Sequence, residues 1–248
     1  MGSIGALLKS LFKAVLYQPL LNLLVLLYMY LPGRDFGIAI IALTLIIRFI
    51  LYPLMAQSIR SQKILSELQP KIQELQKKYK DNKEEQVKKI MDLYKEAKIN
   101  PFGSFLPLLI QLPILIALYQ VFWKGLQPGS MSNLYSFVPN PGVIDPSFLG
   151  LINLSEASIV LAFIAGITQF IQTKMMIPAV KTDKNQNSTS QVSDKIQNQM
   201  LYMLPIFTVF ILWKLPAAIG LYWIVTSLFS IVQQYFILKS SKKNDYAK

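Results

Sequence analysis

Residues 39–56, AIIALTLIIRFILYPLMA, are long and apolar enough to cross a bilayer as a helix, yet they carry Arg48 near the middle. A guanidinium cannot shed its charge in a protein. At mid-bilayer depth it costs about 2.5–3.5 kcal/mol on insertion scales. Further apolar windows cover about 101–125, 157–179, 199–214 and 215–238. None of them alternates in hydrophobicity as the strands of a membrane barrel do. With 36–57, these windows predict an all-α polytopic membrane protein with a five-transmembrane-helix core, so Arg48 must be accommodated inside a helical bundle.

The chain has no Cys and no His. Disulfides, Cys/His metal sites, thiol nucleophiles and Ser-His or Cys-His dyads are thereby excluded. No glycine-rich phosphate loop is present, and no Ser deep in a span has a Lys beside it. The sequence therefore predicts no enzyme, no cofactor and no metal. Nothing at the N-terminus reads as a cleavable signal peptide.

The formal charge of +12 is unevenly spread. Residues 58–100 hold 11 Lys/Arg against 7 Asp/Glu, whereas 126–156 hold no Lys or Arg. Basic residues also gather in the polar segment 180–198 and the tail 239–248. Positive-inside counting places these three pieces and the C-terminus in the cytoplasm, and 126–156 outside. The asymmetry reads as topology, and no nucleic-acid recognition is expected from it.

Within 58–100, Ile64, Leu68, Ile72, Leu75 and Tyr79 recur at steps of three and four, and Val87, Ile90, Tyr94 and Ala97 repeat the pattern. Asn82 with Glu85 three residues on fits a capping box at the start of a second helix. The segment reads as a helical hairpin with a narrow apolar seam, with Pro70 expected to kink its first arm or start a new turn. Two such short arms bury little area, which predicts mobility relative to the core. The fourth span is short, and Pro205 within it and Pro216 after it suggest a thinned membrane or a strong tilt. Residues 6–31 leave two readings open: a span containing Lys9 and Lys13, slightly favoured by the residues, or an amphipathic helix on the outer interface, broken at Gln18, Pro19 and Asn22.

None of the 13 Asp/Glu falls inside a clear span, so Arg48 has no obvious acidic partner there. Thr44, one turn back, offers a hydroxyl. Gln111, Gln169, Gln172, Gln233 and Gln234, with Tyr119, Tyr222 and Trp223, can line a polar cavity around it. A water-filled groove is the economical solution, because polar groups in spans face a bundle interior or an aqueous space. Such a cation attracts anionic solutes, as in a transporter or channel, or acidic polypeptide segments. The plain structural reading is a brace that bonds backbone carbonyls, with each Gln a helix–helix hydrogen bond. A scaffold without activity of its own predicts silent groove mutations.

The motifs YQPL (17–20), RFILYPL (48–54), LQPKIQELQKKY (68–79), LYKEAKINPFGSFLPLLIQLPILIALY (93–119), TQFIQTKM (168–175) and MLPIFTVFILWKLPAAIGLYWIVTSLFSIVQQ (203–234) occur in one order. Together they resemble the YidC/Oxa/Alb membrane protein insertase family, over about residues 15–238. The resemblance implies a hydrophilic groove open to the cytoplasm and to lipid. It implies an insertase and chaperone that receives hydrophobic nascent proteins and releases their spans into lipid, in a bacterial-type plasma membrane. Arg48 takes the place of the groove arginine that attracts acidic residues of the translocated segment. Thr44 and Trp223 match groove positions of the family, as does Gln169 or Gln172; Tyr222, beside Trp223, joins the groove set on the residue reading above. Residues 58–100 match a cytoplasmic hairpin, and 1–35 match an external interfacial helix, the reading adopted for that segment. Partners implied are nascent membrane proteins, the bilayer, the Sec translocon, the signal-recognition receptor and the ribosome, although the tail KSSKKNDYAK is shorter than the ribosome-binding tails of some relatives.

Overall fold

The structure, a computed structural model, describes residues 2–100, 103, 106–124, 130–176 and 201–245. The expectations for 180–198 and for the last residues of the tail lie outside the described residues. The helices are α1 (Gly2–Phe12), α2 (Gln18–Tyr30), α3 (Phe36–Ile50), α4 (Tyr52–Lys78), α5 (Lys83–Glu96), α6 (Leu106–Lys124), α7 (Ile159–Met176), α8 (Leu201–Leu212) and α9 (Ala217–Asp245). A π-helical turn, Lys13–Tyr17, joins α1 to α2. The chain is a mostly helical membrane protein. Its one described sheet is a pair of two-residue antiparallel strands, β1 (Ser147–Phe148) and β2 (Ile152–Asn153).

Among the described residues, three helical stretches are long and apolar enough to cross a membrane: Gly5–Tyr30, Ile159–Met176 and Ala217–Lys239. The bent pair α3–α4 makes a fourth, and Leu109–Trp123 and Leu201–Leu212 are shorter apolar helices.

Helix α3 starts where Asp35 accepts the amide of Ile38 at 2.8 Å, which satisfies one of the free N–H groups of the first turn. The other oxygen of Asp35 accepts the Leu149 amide, so the same carboxylate fastens the 130–156 loop to the head of α3. At the opposite end the helix breaks at Leu51 and α4 leaves at 66°. Pro53 falls in the first turn of α4, where its missing N–H costs nothing. The Tyr52 carbonyl is met across the fold by Gln233 Nε2 at 3.1 Å. Beyond the bend α4 runs through Pro70 as one helix, so no new helix starts there. Asn82 caps α5 by accepting the Glu85 amide at 3.1 Å, one half of the capping box expected from the sequence; the Asn82 backbone N–H goes to the Tyr79 carbonyl, and the Glu85 carboxylate accepts the Asn82 side-chain amide instead.

The core joins α2, α3, α6, α7 and α9 around Leu21, Val25, Ile40, Leu43, Leu118 and Tyr222. The broadest pairing is α7 against α9. Small residues permit it: Ala162, Ala165, Ala217 and Ala218 are buried, and a Cβ on Gly220 would meet Leu161 at 3.4 Å. The first amides of α9 are satisfied from outside the helix, Ala217 by the Glu156 carbonyl at 2.7 Å and Ala218 by Leu154 at 3.0 Å. Large apolar side chains such as Leu109, Ile116, Phe163, Ile167, Phe207 and Phe210 point away from this core, as lipid contact requires.

Candidate functional site

Arg48 is in the last turn of α3 and turns inward, while the next two residues, Phe49 and Ile50, are exposed on the other side. A step of about 100° per residue separates the two environments. The guanidinium edges a cavity of about 350 Å³ that also reaches Gln111, Gln169, Gln172 and Trp223. Its walls continue along α4 (Met55, Ile59, Gln62) and α9 (Ser230, Gln233, Gln234).

Arg48 is only 7% exposed. Its hydrogen bond among the described residues is from Nη2 to Gln111 Oε1, at 3.3 Å. A guanidinium has five N–H donors. None of its nitrogens is both sealed from solvent and unpartnered, a condition met only by Thr226 Oγ1, Ser227 Oγ and Gln234 Oε1 among the described side chains. The charge is hydrogen-bonded at one corner, and its other nitrogens, unpartnered among the described residues, keep slight exposure beside the cavity. Neither described ion pair involves it; both belong to residues 63–81.

Gln111 sits between two groups. Its carbonyl oxygen faces Arg48, and its amide nitrogen donates to the Tyr222 hydroxyl in a short hydrogen bond. Because a guanidinium only donates, Arg48 fixes which end of the amide faces it, and the Tyr222 hydroxyl accepts from the nitrogen left on the other side. On the facing wall, Trp223 Nε1 donates to Gln169 Oε1 at 3.1 Å and ties α9 to α7. Thr226, Ser227 and Gln234 line the same cavity, but these three oxygens are turned away from solvent and are unpartnered among protein atoms. Each such sealed, unpaired oxygen costs about 1–3 kcal/mol.

Seven residues expected from the sequence, Arg48, Gln111, Gln169, Gln172, Trp223, Gln233 and Gln234, share this cavity. Tyr222 lies one layer behind, 1% exposed, and is hydrogen-bonded to the lining residue Gln111. Thr44 does not reach Arg48: it is buried and its hydroxyl donates to the Ile40 carbonyl at 2.6 Å, the local bond that threonine makes inside helices. Tyr119 stacks on Trp123 and is not part of the wall. Thr226, Ser227 and Ser230 were not singled out as groove residues. A signal for them exists, because 223, 226, 227, 230, 233 and 234 form one polar stripe at helical spacing along α9. Among the described residues no cluster of His, Cys, Asp or Glu is arranged to hold a metal ion.

A family model described as 60Kd inner membrane protein matches residues 27–244. A protein of Clostridium tetani named membrane protein insertase YidC is 39% identical over 217 residues, covering 88% of this chain and 88% of that protein. A Fusobacterium nucleatum protein of the same name is 35% identical over 206 residues, covering 83% and 87%. The Wigglesworthia glossinidia brevipalpis protein so named is 35% identical over 227 residues, which is 91% of this chain and 37% of the longer relative.

Proposed function

Because the chain belongs to the 60Kd inner membrane protein family, the YidC/Oxa family of the sequence resemblance, we propose that it is a membrane protein insertase whose working surface is the cavity at Arg48. The observation that carries this reading is the shape of that cavity. From Arg48 its walls run toward Gln62, inside the basic segment 58–100, toward Met176, the last residue of α7 before 180–198, and toward Gln234, in the half of α9 that leads to the tail. Positive-inside counting puts those segments in the cytoplasm, so the cavity opens inward and its blind end holds the cation.

An incoming hydrophilic segment enters from the cytoplasmic side and exchanges solvent for the amides and hydroxyls of the wall. Its acidic residues are drawn to Arg48, where low dielectric surroundings lengthen the reach of the charge. The adjoining apolar span then leaves into lipid, at about 25 cal/mol for each Å² removed from water, and this drives the step without a nucleotide. Membrane potential adds about 2.3 kcal/mol per 100 mV for each negative charge moving outward. In this account residues 58–100 form a cytoplasmic receiving arm and residues 1–35 lie along the outer interface. The Sec translocon, signal-recognition receptor and ribosome are partners on the cytoplasmic and lateral sides.

Purified protein in liposomes tests the reading. It integrates a small two-span client with an acidic translocated tail in the absence of any energy source, and it conducts no saturable anion flux. Anion flux without insertion would assign Arg48 to a solute pathway instead.

A further inference from the structure

A second cavity lies away from Arg48, between the N-terminal helix and the end of α6 assigned to the outer face. It measures about 600 Å³ and is lined by Leu8, Lys9, Phe12, Lys13, Tyr17, Gln120 and Asn133. Lys9 and Lys13 are both exposed, and among the described residues neither has an ion-pair or hydrogen-bond partner. No acidic residue lines the cavity.

Two features show that the local backbone is arranged around this site. In an α-helix a four-residue step overshoots one turn by about 40°, so Lys9, Lys13 and a residue at position 17 would drift around the axis. The π turn Lys13–Tyr17, closed by the Gln18 amide on the Lys13 carbonyl, winds less per residue. It offsets that drift and returns Tyr17 to the lysine face. The rim opposite is fixed by Asn22, which donates to the Asn133 carbonyl at 3.2 Å and accepts the Tyr135 amide at 2.7 Å. Leu8 and Phe12 line the cavity with the two lysines, whereas Leu7, Leu11 and Val15 are exposed on the opposite side of the helix.

Paired ammonium groups over a pocket whose lining is polar at one rim and apolar at Leu8 and Phe12 match a ligand that has a phosphate and apolar tails in one molecule. We propose that this cavity binds the headgroup of an anionic phospholipid of the outer leaflet, with Lys9 and Lys13 on the phosphate, Gln120 and Asn133 at the polar rim, and the start of the acyl chains along Leu8 and Phe12. The lipid holds the N-terminal segment to the outer face. The proposal rests on the orientation adopted above but not on the role of Arg48.

The test is native mass spectrometry of the full chain, delipidated in mild detergent and offered dioleoylphosphatidylglycerol or dioleoylphosphatidylcholine. Each lysine near an anionic headgroup is worth about a factor of five, so two give on the order of 10- to 30-fold preference for phosphatidylglycerol. That preference is lost in Lys9→Gln/Lys13→Gln and kept in Lys9→Arg/Lys13→Arg, in Lys80→Gln on the hairpin, and in Arg48→Ala. An unchanged preference in the Gln pair overturns the site. So does an equal loss in Lys80→Gln, which would mean general charge attraction. Abolition of phosphatidylglycerol binding by inorganic phosphate at millimolar concentration assigns the pocket to a free anion, and a dimer mass in place of bound lipid assigns it to a second copy of the chain. Loss in Arg48→Ala with retention in the Gln pair would move the lipid to the central cavity.

Discussion

Replacing Gln111 by Glu places a carboxylate where the amide oxygen now meets Arg48, at 3.3 Å from Nη2. The substitution keeps shape and adds one charge. At that separation the pair attracts by about 5 kcal/mol for an effective dielectric of 20, and by about 1.3 kcal/mol if the cavity screens like bulk water. A client carboxylate must compete with this resident partner, which is already in place and loses little freedom on pairing. Each 1.36 kcal/mol is a factor of ten in rate, so insertion of an acidic-tailed client falls by at least about tenfold, and by more if the cavity screens poorly. Clients whose translocated segment has no acidic residue are unaffected. Gln111→Met, which removes the hydrogen bonds but leaves the cation bare, stays within a few-fold of the parent for both clients. The assay is protease protection of the translocated tail after reconstitution in liposomes, with Arg48→Ala alongside. If Gln111→Glu folds and inserts acidic clients at the parental rate, the charge at Arg48 is not what draws them.

Other substitutions follow from single contacts. Tyr222→Phe leaves the Gln111 amide nitrogen without its acceptor and loosens the side chain that meets Arg48, and it lowers stability by about 0.5–1.5 kcal/mol in a denaturation series together with a modest loss for acidic clients. Ser227→Ala is neutral or stabilising by up to about 1–3 kcal/mol, because its hydroxyl is sealed among protein atoms without a partner; a loss of stability would mean that the hydroxyl is hydrogen-bonded after all, for example to water admitted from the cavity. Asn82→Ala removes the α5 cap at a cost of about 1 kcal/mol and speeds hydrogen exchange at the Glu85 amide. Gly37→Ala drives a methyl into the Phe148 ring and lowers the unfolding midpoint, with recovery in the double variant carrying Phe148→Ala.

The sequence made the helical membrane class legible because apolar runs of this length leave few alternatives, and Asn82 and Glu85 announced the start of α5 by local chemistry alone. The break at Leu51 was not legible. Pro53 looks like a tolerated residue within a span, and one contact that secures the bend comes from Gln233, 181 residues away in sequence. Thr44 shows the converse error: helical spacing placed it on the face of Arg48, but its hydroxyl is taken by its own backbone. Arg48 stood out as an isolated charge, whereas the α9 stripe of Thr226, Ser227 and Ser230 is built from mild residues that attract notice only when their spacing is counted. Gln111 was visible as one amide among several. Its place between Arg48 and Tyr222 depends on the meeting of α3, α6 and α9, and no single helix encodes that.

Since the chain has no cysteine, a thiol can be introduced at one chosen depth without background. Gln111→Cys puts it beside Arg48. In sealed vesicles of known orientation, a charged reagent that cannot cross membranes labels this thiol from the cytoplasmic face and not from the outer face, if water reaches the guanidinium as proposed. Failure to label from either side, or labelling only from outside, would show that Arg48 is a dry brace or that the cavity opens the other way.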